Sequence, residues 1–146
     1  MPLDPDNQVV KLCTAGMEAE AENRFADARA LFEQAWAARH THLDACIAAH
    51  YVARLQDEPE RILHWNQEAL RYADAVVAEG TNSEIIAFYP SLYLNLGKSY
   101  EDMGDTVTAT HYYHLAEEQL QLLSGEYGKL VRRGIAEGLR RTTPKA

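Results

Sequence analysis

The sequence predicts an all-α protein made of antiparallel helix pairs, with about seven helices in a single domain. Three observations carry that expectation. First, one phrase recurs along the 146 residues: Ala28-x3-Phe32-x2-Ala35, Ile62-x3-Asn66-x2-Ala69 and Ala109-x3-Tyr113-x2-Ala116. Second, Ala35 and Ala69 are 34 residues apart, and Ala69 and Ala116 are 47 apart, the same period plus an insertion of 13. Recurrence at such a period marks a stack of small helical units. Third, helix start and stop signals fall between the copies, and no segment shows a clear strand pattern.

The elements follow in chain order. Asp4-Pro5 reads as an N-cap with proline at the first helical position. Thr41-x-x-Asp44 opens the second pair like a capping box, with Asp in place of the usual Glu. Asp57, followed by Pro59, starts a helix expected to run long, over 58–79. Gly80-Thr81-Asn82-Ser83 is a stop followed by a new cap. Residues 77–89 form the insertion, with a helical extension from Glu84 to Tyr89. Pro90 kinks or restarts the chain there, so the fifth helix is bent or split. Gly104-Asp105 makes the turn of the third pair, and Ser124-Gly125 closes it. Residues 126–141 read as a last amphipathic helix, with Leu130, Val131, Ile135 and Leu139 towards the core. The units thus span about 9–42, 43–76 and 90–123.

The first half of each unit can be checked separately. Tyr93, Leu96, Gly97 and Tyr100, followed by Gly104-Asp105 and Ala109, reproduce the pattern W-x2-L-G-x2-Y with Tyr in place of Trp. Leu12, Ala15, Gly16 and Ala19 match it fairly. Cys46, Ala49, His50 and Ala53 match it weakly. On these residues the chain resembles the tetratricopeptide repeat (TPR) family over 9–76 and 90–123. It is also similar to short bacterial proteins of that kind at FYPSLYLNLGKSYEDMGD and YGKLVRRGIAEGLRR. The resemblance implies a right-handed superhelix of helix pairs closed by a C-terminal capping helix. One pair cannot bury its apolar face alone, so units stack and share a core.

TPR proteins bind extended peptides in a concave groove lined by the first helix of each pair. Carried onto this chain, the resemblance implies Asp44, Tyr51 and Arg54 in the second unit, and Ser91, Asn95, Lys98, Glu101 and Asp102 in the third. Cys13, Thr14, Met17 and Glu20 stand at those positions in the first. The plain alternative is a set of solvated helix faces. A TPR variant that grips C-terminal carboxylates has Lys and Asn where this chain has Cys13 and Met17, so that specificity is not implied. The clustered tyrosines read mainly as core, Tyr93, Tyr100 and Tyr113 among them. Phe88 and Tyr89, in the insertion, are the better candidates for a binding surface.

The second unit also concentrates metal-capable side chains. His42, Cys46 and His50 are spaced i, i+4, i+8, near one face of a helix. The competing reading is a polar core, with His50 and Asn66 satisfying each other. A metal or small-ligand sensor is therefore the alternative function to a protein-interaction module.

Composition narrows the classes further. The net charge of −8 argues against broad nucleic-acid binding. The charge is uneven: residues 129–146 hold Lys129, Arg132, Arg133, Arg140, Arg141 and Lys145 against Glu137, a net +5, leaving −13 elsewhere. Such a tail suits an acidic partner, the chain's own acidic body or a second copy, which leaves a homodimer open. No Gly-rich phosphate loop, G-x-S-x-G or H-E-x-x-H is present, so neither catalysis nor a cofactor is expected. A methyltransferase activity, assigned to some of the similar bacterial proteins, would need a parallel sheet with a Gly-rich turn. Two cysteines, an acidic N-terminus and the lack of a long apolar run predict a cytoplasmic protein without disulfides.

Overall fold

The computed structural model describes residues 4–80 and 83–144 and is helical throughout its regular elements. Seven long helices lie among the described residues: α1 (Gln8–Ala21), α2 (Phe25–Ala37), α3 (His42–Arg54), α4 (Pro59–Ala78), α6 (Tyr89–Asp102), α7 (Thr106–Glu118) and α8 (Gly125–Thr142). The short α5 (Ser83–Ile86) precedes α6, so the fifth helix is split as expected, and a 3-10 turn over Leu120–Leu122 precedes α8. Short turns join α1 to α2, α3 to α4 and α6 to α7, which pack as three hairpin pairs. The pairs stack in order: α2 on α3, α4 on α6, and α7 on α8. Such pair-on-pair packing is consistent with a helical repeat.

Local chemistry sets the helix ends. Asn7, rather than Asp4, caps α1; its side-chain oxygen accepts from the Val10 amide at 3.1 Å. Asp4-Pro5 forms a turn ahead of that cap. Thr41 caps α3 by accepting from the Asp44 amide at 3.0 Å, and Asp44 reaches back to the His40 amide at 2.9 Å. Its other carboxylate oxygen accepts from Asn7 Nδ2 at 2.9 Å, so one residue joins the starts of α1 and α3. Pro59 and Pro90 stand in the first turns of α4 and α6, where a missing amide hydrogen costs nothing. Asn23 and Gly104 take left-handed backbone (φ 62 and 85) in the turns of the first and third pairs. Of the stop-and-cap signal at 80–83, Thr81 and Asn82 lie outside the described residues.

The core is layered. Val9, Phe32, Ile47 and Val52 fill the space between the first two pairs. Ala69, Ala73, Val76, Ile85 and Leu92 fill the next layer, and Val131 and Ile135 bring α8 onto α7 through Ala116. Leu139 also packs there, but Leu130 does not: it is 62% exposed, because it lies one residue off the stripe formed by Val131 and Ile135. Tyr113 is fully buried as expected, whereas Tyr93 and Tyr100 are half-buried.

Glycines let the first and third pairs close. A β-carbon on Gly16 would come within 2.3 Å of the Phe32 ring, and one on Gly97 within 2.7 Å of the Tyr113 ring. Tyr113 also lies on Gly138 of α8, where a β-carbon would stand 2.4 Å away. Each ring thus occupies the volume that any side chain on the facing helix would need.

Candidate surface site along α1, α3 and α6

The basic C-terminal helix is partly committed to the body of the protein. Arg141 holds Glu101 of α6 at 2.7 and 3.1 Å, and Tyr113 donates its hydroxyl to the same carboxylate at 2.7 Å. Those bonds, the one from Arg141 foremost, lower the Glu101 pKa. Arg132 donates to the Leu120 and Leu123 carbonyls and so ties α8 to the turn before it. Lys145 lies outside the described residues.

Several side chains expected in the groove do come together, in two neighbouring depressions. The first, about 540 Å³, lies between α1 and α3. Cys13, Thr14 and Met17 line it on one side, Ile47 and Tyr51 on the other, and Val10 and Pro5 extend its apolar wall. Met17 is 41% exposed there. Tyr51 stacks on Phe32 with ring centroids 5.5 Å apart, which fixes its orientation. Burial raises the Cys13 thiol pKa to about 12, so Cys13 acts as a small apolar wall residue.

The second depression, about 140 Å³, lies between α3, α4 and α6. Arg54, Asn95, Lys98 and Asp102 line it, joined by His50, Asn66 and Ser99. Its charges are internally matched. Arg54 grips Glu20 through two hydrogen bonds of 3.1 and 2.7 Å, which lower the Glu20 pKa and raise that of Arg54. Lys98 pairs with Asp102 at 2.8 Å. Burial, reinforced by the Arg54 charge, drops His50 to about 4, so its ring is neutral near pH 7.

Other expected site residues lie elsewhere. Asp44 is 5% exposed and spends its carboxylate on Asn7 and His40. Ser91 is 6% exposed, its hydroxyl in a hydrogen bond with Tyr127 of α8. Neither presents its side chain to a ligand. Tyr89 is also buried and donates to Asp74 at 2.6 Å, while Phe88 packs against the first two core layers. The insertion thus covers the long α4 with Ile85, Phe88 and Tyr89 instead of offering an aromatic surface. Sequence reasoning missed Val10 and Ile47 in the first depression and Ser99 in the second, and also Tyr127, 55% exposed at the start of α8 and close enough to Tyr51 and Arg54 to influence both electrostatically. No sequence signal marks Tyr127, since its position depends on how α8 docks.

The His and Cys side chains of α3 are not gathered. His42 pairs with Glu79 beyond the C-terminal end of α4. Cys46 is fully buried in the second core layer, with its thiol raised to about 12 by burial and then by Asp74. His50 faces the Asn95 amide at 3.4 Å. Three residues spaced by four drift around a helix, and α3 is packed on several sides, so each meets a different neighbour. Among the described residues no three His, Cys, Asp or Glu side chains are grouped as a metal would require. The pairing expected between His50 and Asn66 is replaced by a bond from Asn66 Nδ2 to Ser99 Oγ at 2.8 Å.

Among the described residues no helix is long and apolar enough to cross a membrane. No family model, curated protein or solved structure matches the chain.

Proposed function

We propose that the chain is a TPR-like interaction module, without catalytic activity, that binds a peptide or protein segment along the face formed by α1, α3 and α6. The observation that supports this reading most is the pair of adjoining depressions there, one mostly apolar around Met17 and Tyr51, the other smaller and mixed, with Ala53 and Ile62 beside His50, Asn95 and Ser99. An extended peptide needs both: apolar area for affinity and a few fixed polar groups for register. The helices already hold these groups in place, so little ordering cost falls on the protein when a ligand arrives. We take the site of action to be the cytoplasm. The metal-sensor alternative is weakened by the separation of His42, Cys46 and His50.

Affinity capture from the native cytoplasm tests the reading, comparing the wild type with a Met17→Glu/Arg54→Ala/Asn95→Ala variant whose circular dichroism is unchanged. A partner captured by the wild type should be lost from the variant. Equal capture by both would remove this face as the working surface.

A further inference from the structure

The apolar depression between α1 and α3 shares its side of the molecule with a second exposed apolar feature, at the start of α8. The Tyr127 hydroxyl is hydrogen-bonded to Ser91 of α6, and its ring lies near enough to Tyr51 and Arg54 to act on both electrostatically. Leu130 follows one turn later. It shares that side of α8 with Gly134, which packs on Leu94 of α6. Met17 in the depression, and Tyr127 and Leu130 on α8, are 41, 55 and 62% exposed.

Charge divides along the same line. Residues 4–21, which lead into and form α1, carry Asp4, Asp6, Glu18 and Glu20 against Lys11, whereas α8 carries five bases and two acids over residues 125–142. Glu18 lines the depression, and Arg133 stands one turn after Leu130. Neither forms an ion pair among the described residues.

We propose that this face joins two copies of the chain in a two-fold dimer, with Tyr127 and Leu130 of each α8 seated in the depression between α1 and α3 of the other copy.

The occupant of that depression has to bring apolar side chains with positive charge beside them, because its walls are apolar and the helix that carries them is acidic. The start of α8 brings both. An aromatic anchor entering an apolar pocket is also the contact that supplies most affinity in protein interfaces. Symmetry then completes the arrangement. The depression and the α8 patch lie side by side on one face, so a second copy turned by half a turn and laid against the first makes both contacts at once. The interface closes on itself, and no open chain of copies grows from it. Charge selects this crossed pairing, which sets the acidic α1 of each copy beside the basic α8 of the other, twice over. The other face-to-face two-fold would lay α8 on α8 and α1 on α1, like charge on like. Self-association uses the depression that the proposed peptide would use, so the two exclude each other, but the dimer does not depend on the peptide reading.

Sedimentation equilibrium of the full chain at low salt, from about 1 μM to about 1 mM, tests the dimer. The mass should rise from 16.4 kDa to twice that value and no further, and added salt should weaken the association. Leu130→Glu, a change at an exposed position, should weaken it about tenfold or more. Glu18→Arg or Arg133→Glu alone should weaken it about fivefold, since symmetry spoils each contact twice, and the two together should recover most of that loss. A chain that stays monomeric would overturn the dimer, as would one whose self-association Leu130→Glu leaves unchanged. Masses climbing beyond twice the chain would overturn the closed arrangement in favour of head-to-tail growth. A double charge variant no tighter than the single ones would overturn the crossed pairing of α1 with α8. Each of these failures leaves the peptide reading standing, because that reading is judged by partner capture alone.

Discussion

The second helix pair differs from its neighbours in how its two helices meet. In the first and third, Phe32 and Tyr113 fill all the room left by Gly16 and Gly97. In the second, the Asn66 amide is used on Ser99 of the next helix, and the His50 ring stands beside an open pocket. The rings thus close two of the pairs, whereas α3 and α4 meet through the small side chains Cys46, Ala49, Ala69 and Ala73, and the polar residues of that pair bond to α6 of the next. Ring burial contributes more stability; the polar pair leaves a cavity whose lining can recognise a ligand. A repeat that departs from its neighbours in the core can thus acquire a site in the middle of an otherwise closed wall.

The largest expected effect tests the closed pairs. Tyr113→Ala should cost about 3–5 kcal/mol, because a fully buried ring leaves a void against two glycines. Asn66→Ala should cost only about 1–2 kcal/mol, the scale of one buried hydrogen bond with its unpaired partner. Urea denaturation gives both values, and equal costs would abolish the contrast between the pairs.

A pH series tests the polar pair. The folded pKa of His50, about 4, lies below its ordinary value of 6.5, so the unfolded chain takes up the proton first. The contribution from keeping this ring neutral is complete above pH 6.5 and is lost as the pH falls towards 4. Between pH 7 and 5 the loss should be about 2 kcal/mol from this group. His50→Gln should flatten that part of the curve; an unchanged slope would show that the ring is not desolvated as described. Burial sets most of the shift and the Arg54 charge adds to it, while Asn95 and the edge-on Tyr51 ring, 5.2 Å away, pack beside the imidazole.

Restoring the ring sharpens the comparison. His50→Gly/Asn66→Phe should change stability by no more than about 1 kcal/mol: a buried ring adds about 2–3, a glycine within a helix removes about 1, and loss of the Asn66 bond to Ser99 removes about 1–2. A rise in melting temperature would show that the second pair trades stability for its pocket. The smallest effect belongs to the capping helix. Arg141→Met should cost about 0.5–1 kcal/mol and lose most of that cost in high salt, because the pair with Glu101 is partly exposed.

Much of the fold was legible in the sequence. The long α4, the split fifth helix at Pro90, the Thr41 cap and the Gly104-Asp105 turn depend on residues within one or two helical turns, so local chemistry announces them. Of the expected groove residues, Tyr51, Arg54, Asn95, Lys98 and Asp102 line the two depressions, because helical periodicity points them to the same face. Asp44 and Ser91 share that periodicity but are consumed by Asn7 and Tyr127, partners 37 and 36 residues away. No local pattern could show that. Phe88 and Tyr89 looked like an exposed insertion, yet a helix as long as α4 leaves apolar surface beyond its pair, and the insertion covers it.

By itself, then, the sequence determined the helices, their pairing and the layers of small and aromatic residues, since caps, period and glycine positions act over short distances. Only the tertiary structure decided where the polar side chains went: Asn66 to Ser99, His50 beside Asn95, Glu20 to Arg54 and Tyr127 to Ser91. A buried polar group takes the nearest partner in space, and that neighbour exists only once the pairs have stacked.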